Sequence, residues 1–412
     1  MNKELENILV KAKAASREML LVDSKAKNKA LLNISNALIE NINLILKENY
    51  KDIENAKNNH MSEAMIDRLL LNKERIIKIS EDIKKLMTLD DPVGEVIRDI
   101  YRPNQLHIQQ VRVPIGVFGI IYESRPNVTV DIACLCLKSS NVCVLKGGKE
   151  AINSNKILAL VIQNAIQNIL PTHCVTLIEN NDRSIVSELI QANEYVDVVV
   201  PRGGKGLIQH VVKNATVPVI ETGAGNCHLY IDKDADMTKA IDISVNAKIQ
   251  RPSVCNAIET ILVHQDIAKD YLNRLQKVFS SVEIRGDEKV VKILNCHKAT
   301  QEDYATEYDD YIISIKVVKN VNEAIEHIYQ YSTKHSEAII TENKETADYF
   351  LSALDSACLY HNASTRFSDG GEFGFGAELG ISTQKLHARG PLGLREMTSF
   401  QYKIYGDGQI RE

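Results

Sequence analysis

Apolar residues in the first hundred positions recur at helical spacing. Residues 8–19, 31–42 and 62–87 each carry apolar side chains at every third or fourth position, the spacing that lines one face of a helix. The run Asp90–Gly94 breaks the pattern because it contains Pro and Gly. Residues 106–113 then read as a strand in which each face carries both apolar and polar side chains. Such a pattern is typical of an exposed or intersubunit strand.

From residue 114 onward, short apolar runs alternate with helical stretches. The first five runs are Val117–Ile121, Val142–Leu145, Val175–Ile178, Val196–Val200 and Val217–Ile220. A second strand–helix series covers residues 237–360, and the chain ends in a predicted strand over 398–405. Nearly continuous apolar strands separated by helices are typical of parallel sheets. The pattern therefore predicts an α/β protein.

Length and charge narrow the class of protein. A chain of 412 residues exceeds what one hydrophobic core usually supports, so two or more domains are expected. The formal net charge of -5 argues against a nucleic-acid partner. No run is long and apolar enough to span a membrane, and the first residues lack the features of a signal peptide. The cytoplasm is the expected compartment.

Two glycine pairs, Gly147-Gly148 and Gly203-Gly204, follow predicted parallel strands. Neither pair has the spacing of a dinucleotide fingerprint or a Walker loop, so each is also typical of an ordinary turn. Their position favours a ligand site, because open α/β sheets bind ligands at the carboxyl ends of their strands. Lys146 ends one of these strands and either caps the sheet in solvent or contacts a cofactor ribose or its 2′-phosphate.

Cys255 is the first candidate nucleophile among eight cysteines. It lies on a polar linker beside Arg251, and a neighbouring cation favours the reactive thiolate. Cys227 and Cys296 are its rivals. The chain has no Cys-x-x-Cys pair, so no metal site is predicted.

Several stretches, in order along the chain, resemble the aldehyde dehydrogenase superfamily and, within it, a branch that reduces an acyl phosphate. They are Pro114–Asn127, Leu145–Ala151, Gly225–Asp232, Arg251–Asn256 and Ala388–Leu394. The resemblance implies a Rossmann-type cofactor domain, an α/β catalytic domain and a small oligomerisation arm. The implied bounds are 1–99 and 113–230, with part of 360–397, for the cofactor domain, 231–359 for the catalytic domain, and 100–112 with 398–412 for the arm.

The same resemblance implies an activity. It is the NADPH-dependent reduction of L-glutamate 5-phosphate to the 5-semialdehyde and phosphate, the second step of proline synthesis from glutamate. The alternatives are a hydrolytic NAD-linked aldehyde dehydrogenase and a non-catalytic scaffold. A homo-oligomer, either dimer or tetramer, is expected, together with a transient contact with the kinase that makes the labile acyl phosphate.

Roles for single residues also follow from the resemblance. Cys255 becomes the nucleophile that forms a thioester, and the Asn127 amide with the Cys255 N–H holds the oxyanion. Glu372 resembles the residue that contacts the nicotinamide ribose, with an ordinary loop carboxylate as the alternative. Substrate binding falls to Arg251, Arg125 or Arg366, which the sequence does not rank.

Glu221 lies where hydrolytic relatives carry a general base, but the surrounding motif departs from theirs. It is therefore expected to have no catalytic role, since phosphate rather than water is the acyl acceptor.

Overall fold

The computed structural model describes residues 1–376 and 378–411. The chain divides into two compact units. The first unit comprises Met1–Thr222, Gly374–Gly380 and Leu392–Glu412, and the second comprises Gly223–Phe373 and Ile381–Pro391. Glu412, the last residue of the predicted arm, and Ala377, within the predicted range 360–397, lie outside the described residues.

Fifteen α-helices are present in the described chain. They are α1 Lys3–Met19, α2 Ser24–Glu40, α3 Ile42–Asn58, α4 Glu63–Leu69, α5 Lys73–Thr88, α6 Asn127–Lys138, α7 Ile152–Ile166, α8 Arg183–Leu189, α9 Lys205–Asn214, α10 Met237–Ile249, α11 Ala268–Val278, α12 Glu288–Leu294, α13 Gln301–Tyr304, α14 Val321–Tyr331 and α15 Lys344–Ala353. None of these helices is long and apolar enough to cross a membrane.

Sixteen strands accompany the helices in the same described residues. They are β1 Val96–Tyr101, β2 His107–Pro114, β3 Val117–Tyr122, β4 Val142–Gly147, β5 Val175–Leu177, β6 Val198–Arg202, β7 Cys227–Ile231, β8 Ile258–His264, β9 Glu283–Gly286, β10 His297–Lys298, β11 Ile312–Val318, β12 Ser336–Ile340, β13 Cys358–His361, β14 Ile381–Ser382, β15 Gly390–Pro391 and β16 Thr398–Tyr405.

The N-terminal helical region contains one more helix break than the sequence predicts. Residues 62–87 form two helices, α4 and α5, rather than one. The break is held by Asn49 on α3, whose side-chain amide donates to Leu69 O at 2.8 Å and accepts from Leu71 N–H at 2.9 Å. Asn72 then caps α5 by accepting from Arg75 N–H. A long-range contact, invisible to local periodicity, therefore ends α4.

The first unit carries a parallel four-stranded sheet in the order β5-β4-β3-β6. The register pairs Gly119 of β3 with Val144 and with Val199, and all residues of β3 and β4 are buried. The predicted strand over 217–220 forms only an isolated bridge between Val219 and Val199.

The second unit carries a parallel seven-stranded sheet in the order β10-β9-β11-β8-β7-β12-β13. Strand β7 pairs with β8 and β12, so residues 227–231 belong to this sheet. The units accordingly divide after Thr222, whereas the predicted domain boundary lies after residue 230. The hydrophobic core of this sheet includes Leu229, Ile261 and Ile315.

A separate three-stranded antiparallel sheet has the order β1-β2-β16. The hairpin begins at Val96, a few residues before the predicted start at residue 100. Strand β16 pairs with β2 along its whole length, from Thr398 opposite Pro114 to Tyr405 opposite His107. The predicted pairing of the hairpin with the C-terminal strand is therefore confirmed.

Candidate active site

Cys255 lies on the linker between α10 and β8. It is partly exposed, as is Cys296, whereas the other six cysteines are buried. Burial raises the pKa of the Cys227 thiol well above its ordinary value and also raises that of Cys296. Since a thiol must ionise to act as a nucleophile, these shifts count against both rivals of Cys255.

Two residues of the second unit, Cys227 and Gly225, contact the backbone carbonyl group of Cys255. Cys227 Sγ donates to the Cys255 carbonyl oxygen at 3.2 Å. A Cβ atom at Gly225 would overlap that same carbonyl group, so only glycine fits this close approach. Gly225 N–H in turn donates to Glu307 Oε1 at 2.7 Å. The peptide that carries the nucleophile is thus tightly located.

Two arginines accompany Cys255 in the second unit. Arg251 is exposed at the start of the linker, and Arg366 is partly buried in the short helical turn Thr365–Phe367. Burial lowers the pKa of the Arg366 guanidinium, and the positive charge of Arg251 lowers it further. The charges of Asp369, Cys255 and Glu372 act in the opposite direction. These four predicted residues therefore lie close enough for their charges to interact.

Asn127 is the first residue of α6 in the first unit. Its side-chain amide donates to Asp131 Oδ2, one helical turn later, at 2.9 Å. Burial raises the pKa of Asp131 to about 6, and the hydrogen bond from Asn127 opposes that rise. The bond fixes which way the Asn127 amide is turned. Arg125, two residues earlier, is exposed in the same unit.

Lys146 and Gly147 end β4 in the first unit. The buried Lys146 ammonium donates to Gly147 O at 2.8 Å. Burial lowers the pKa of Lys146, and the carboxylate of Glu150 opposes the shift. A side chain at Gly147 would overlap Asn155 and Tyr122, so only glycine fits beside these two side chains at the end of the strand.

Gly203 and Gly204 join β6 to α9, also in the first unit. Gly204 N–H donates to Glu123 Oε2 at 3.0 Å, so an anionic carboxylate already occupies this helix N-terminus. A phosphate group would be held there by the same N–H groups and helix dipole. A helix N-terminus that binds a carboxylate also suits a phosphate group of a dinucleotide cofactor, which would have to displace Glu123.

The sequence missed several residues around these sites. Gln250 and Asn256 flank the Cys255 linker, Glu307 holds Gly225, and Asp131 holds Asn127. Asn127 and Asp131 are four residues apart, the spacing of neighbouring side chains on a helix, and this spacing was a usable signal. Glu307 is 82 residues from Gly225 along the chain, and the sequence contains no local signal that connects the two. Glu221 lies just before the division between the units.

Comparison with known proteins defines the class. A family model described as the aldehyde dehydrogenase family matches residues 1–308. The chain belongs to this family, as its resemblance in the five sequence stretches predicted.

Individual relatives are more specific. A protein of Caldanaerobacter subterraneus named gamma-glutamyl phosphate reductase is 52% identical over 99% of this chain and 100% of its own length. One of the same name from Clostridium acetobutylicum is 53% identical, with 98% of both chains covered. The crystal structure of gamma-glutamyl phosphate reductase from Thermotoga maritima has a TM-score of 0.97 at 49% identity, covering 100% of both chains. Within the aldehyde dehydrogenase family, the chain falls among the gamma-glutamyl phosphate reductases.

Proposed function

We propose that this protein reduces L-glutamate 5-phosphate to L-glutamate 5-semialdehyde and releases inorganic phosphate. The observation that carries the proposal is the partly exposed Cys255 with Arg251 and Arg366 within electrostatic range. A pair of cations beside a nucleophile suits a substrate whose leaving group is a dianion. A hydrolytic aldehyde dehydrogenase has no such leaving group, so this cluster favours the acyl-phosphate reaction. The names of the relatives support the same choice.

The chemistry begins with the thiolate of Cys255. Its sulfur attacks the acyl carbon, the bond from that carbon to the phosphate oxygen breaks, and phosphate leaves with the bonding electrons. Arg251 and Arg366 stabilise the charge on the departing phosphate. The Cys255 N–H and the Asn127 amide, assigned from the family resemblance, stabilise the oxyanion by about 3 kcal/mol per donor. After reduction, the carbon–sulfur bond breaks and the aldehyde leaves.

The family uses a nicotinamide cofactor, and we assign NADPH to this protein. When bound, it supplies the hydride that reduces the thioester. Lys146, Gly147, Gly203 and Gly204 would hold its phosphates and ribose, and Glu372 would contact the nicotinamide ribose. Lys146 with its neighbours Lys149 and Arg202 supplies positive charge for a 2′-phosphate. The ratio of kcat/KM for NADPH to that for NADH measures this preference.

We also propose that the sheet of β1, β2 and β16 is an oligomerisation arm, in a dimer or a tetramer. A transient contact with the kinase that supplies the acyl phosphate would shorten the lifetime of that labile compound in water.

The reverse reaction tests the proposed function. With the semialdehyde and NADP, NADPH should form only when phosphate or arsenate is present, and turnover without either would contradict the proposal. Cys255→Ser should lower kcat by at least about a thousandfold, since a serine hydroxyl is a much weaker nucleophile at neutral pH. Cys296→Ser, at the other partly exposed cysteine, should retain wild-type activity.

A further inference from the structure

Arg366 is held by neutral partners. Its Nε donates to Gln250 Oε1 at 2.9 Å, and its Nη1 donates to Asn256 Oδ1. No salt bridge among the described residues includes Arg366. This is unusual for a partly buried guanidinium, because buried charges are generally paired with an opposite charge. Its neighbours therefore fix the position of the guanidinium through neutral amides, while the carboxylates of Asp369 and Glu372 act on it only through their charge and not through a salt bridge.

Asn256 connects this arginine to the nucleophile. It directly follows Cys255, is buried, and donates through Nδ2 to the carbonyl oxygens of Arg366 at 3.3 Å and Ser368 at 2.9 Å. Thr365 Oγ1 donates to the Asn256 carbonyl oxygen at 2.7 Å. Asn256 therefore bonds both the backbone and the guanidinium of Arg366, which fixes the position of the cation relative to Cys255.

We propose that Gln250 and Asn256 are positioning residues that present Arg366, whose direct partners are neutral amides, to the phosphate group of the substrate. The inference rests on the proposed function, since it assigns the phosphate to this arginine. A guanidinium has five N–H donors, so bonds to two amides do not exhaust it. A carboxylate in either position would form a bidentate ion pair with Arg366 and compete directly with phosphate.

The test replaces Gln250, which is exposed at the end of α10, with the nearly isosteric Glu. In the reverse reaction, the KM for inorganic phosphate should rise about tenfold or more, the cost of a lost charge-assisted hydrogen bond. The KM for the semialdehyde should change far less. Asn246→Asp adds the same charge one turn earlier on the exposed side of α10 and should leave the KM for phosphate unchanged.

A second measurement needs neither cofactor nor substrate. In a Cys296→Ser background, the rates at which iodoacetate and iodoacetamide alkylate Cys255 are compared. A change in thiol ionisation alters both rates equally, so their ratio reports attraction of an anion to the site. Gln250→Glu should lower the rate with iodoacetate relative to the rate with iodoacetamide about tenfold. It should also raise the phosphate concentration needed to protect Cys255 from alkylation. Asn256→Asp should act in the same direction, and Gln250→Glu keeps the test valid if that buried variant does not fold.

The outcomes separate this inference from the proposed function. An unchanged alkylation ratio with an unchanged KM for phosphate would overturn the inference even if turnover remains phosphate-dependent. A raised KM for the semialdehyde alone would also overturn it, by assigning Arg366 to the substrate carboxylate. Phosphate-independent turnover together with a lowered ratio would overturn the proposed function and leave the anion site standing.

Discussion

At the residue scale, the sequence singled out Cys255 for its polar linker, while leaving Cys227 and Cys296 as rivals. The structure counts against Cys227 because that residue lies within β7 and is fully buried. Cys296 is partly exposed like Cys255, but burial raises the pKa of its thiol. The burial of Cys227 depends on pairing with β8 and β12, which the sequence did not predict. The packing of Gly225 against Cys255 likewise joins residues thirty positions apart and has no local signal.

Asp131 offers a prediction at the same scale. Because it accepts the hydrogen bond that orients the Asn127 amide, Asp131→Ala should lower kcat about tenfold through loss of orientation. Asp131→Asn keeps an acceptor and should retain most of the activity. Burial penalises the Asp131 carboxylate, so neither change should lower the melting temperature greatly. Steady-state kinetics of both variants checks this.

Asn127→Ala sets the upper bound for that effect, at about a hundredfold to a thousandfold loss in kcat for one oxyanion donor. If Asp131→Ala retained the wild-type kcat while Asn127→Ala lost it, the hydrogen bond between them would have no positioning role.

At the scale of elements, helices with strong periodicity were predicted well, since the predicted stretches 8–19 and 31–42 lie largely within α1 and α2. The predictions were wrong where tertiary contacts determine where an element begins, ends or pairs. The break between α4 and α5 depends on Asn49, and β7 was not predicted as a strand. The mixed faces of β2 predicted an exposed or intersubunit strand, and the arm with its pairing to β16 came from the family resemblance.

Strand β16 supports a prediction about assembly. Phe400, Tyr402 and Ile404 share one face because side chains alternate along a strand, and all three are more than half exposed. Three such residues on one strand form an unpartnered apolar face, which is typical of an interface. Tyr402→Lys should therefore shift the protein toward monomer in sedimentation or light-scattering measurements.

The matched control is Gln401→Lys, which places the same charge on the opposite face of β16. It should leave the molar mass unchanged. Equal masses for the wild type and Tyr402→Lys would exclude this face of the arm from the interface.

At the scale of the whole molecule, alternating strands and helices predicted an α/β protein with parallel sheets, chain length predicted two or more domains, and the family resemblance supplied their bounds. The boundary was not predictable in the same way. Strand β7 is adjacent in sequence to the first unit, yet its partners begin at residues 258 and 336. Local patterning has no access to such pairings, so a strand near a boundary cannot be assigned from it. The roles of the two units in cofactor binding and catalysis stay predictions.

Buried histidines in the second unit give the whole molecule a predictable dependence on pH. Burial lowers the pKa of His335 to about 4, and burial together with His228 and Lys316 lowers that of His327 to about 2. The unfolded chain binds these protons near the ordinary pKa of about 6.5, whereas the folded protein does not. The free energy of unfolding should therefore fall as the pH drops below about 6.5, by about 1.4 kcal/mol per histidine for each pH unit.

His335→Gln isolates one of these contributions. The variant removes a group that binds a proton only in the unfolded state. Its melting temperature relative to that of the wild type should therefore rise as the pH falls from about 7.5 to about 5.5. Asp131, whose raised pKa of about 6 has the opposite effect on stability, is present in both proteins and cancels in the comparison. His210→Gln, at an exposed histidine, should follow the wild type at every pH. Parallel curves for wild type and His335→Gln would mean that His335 is protonated in the folded protein, and that the buried site accommodates its charge.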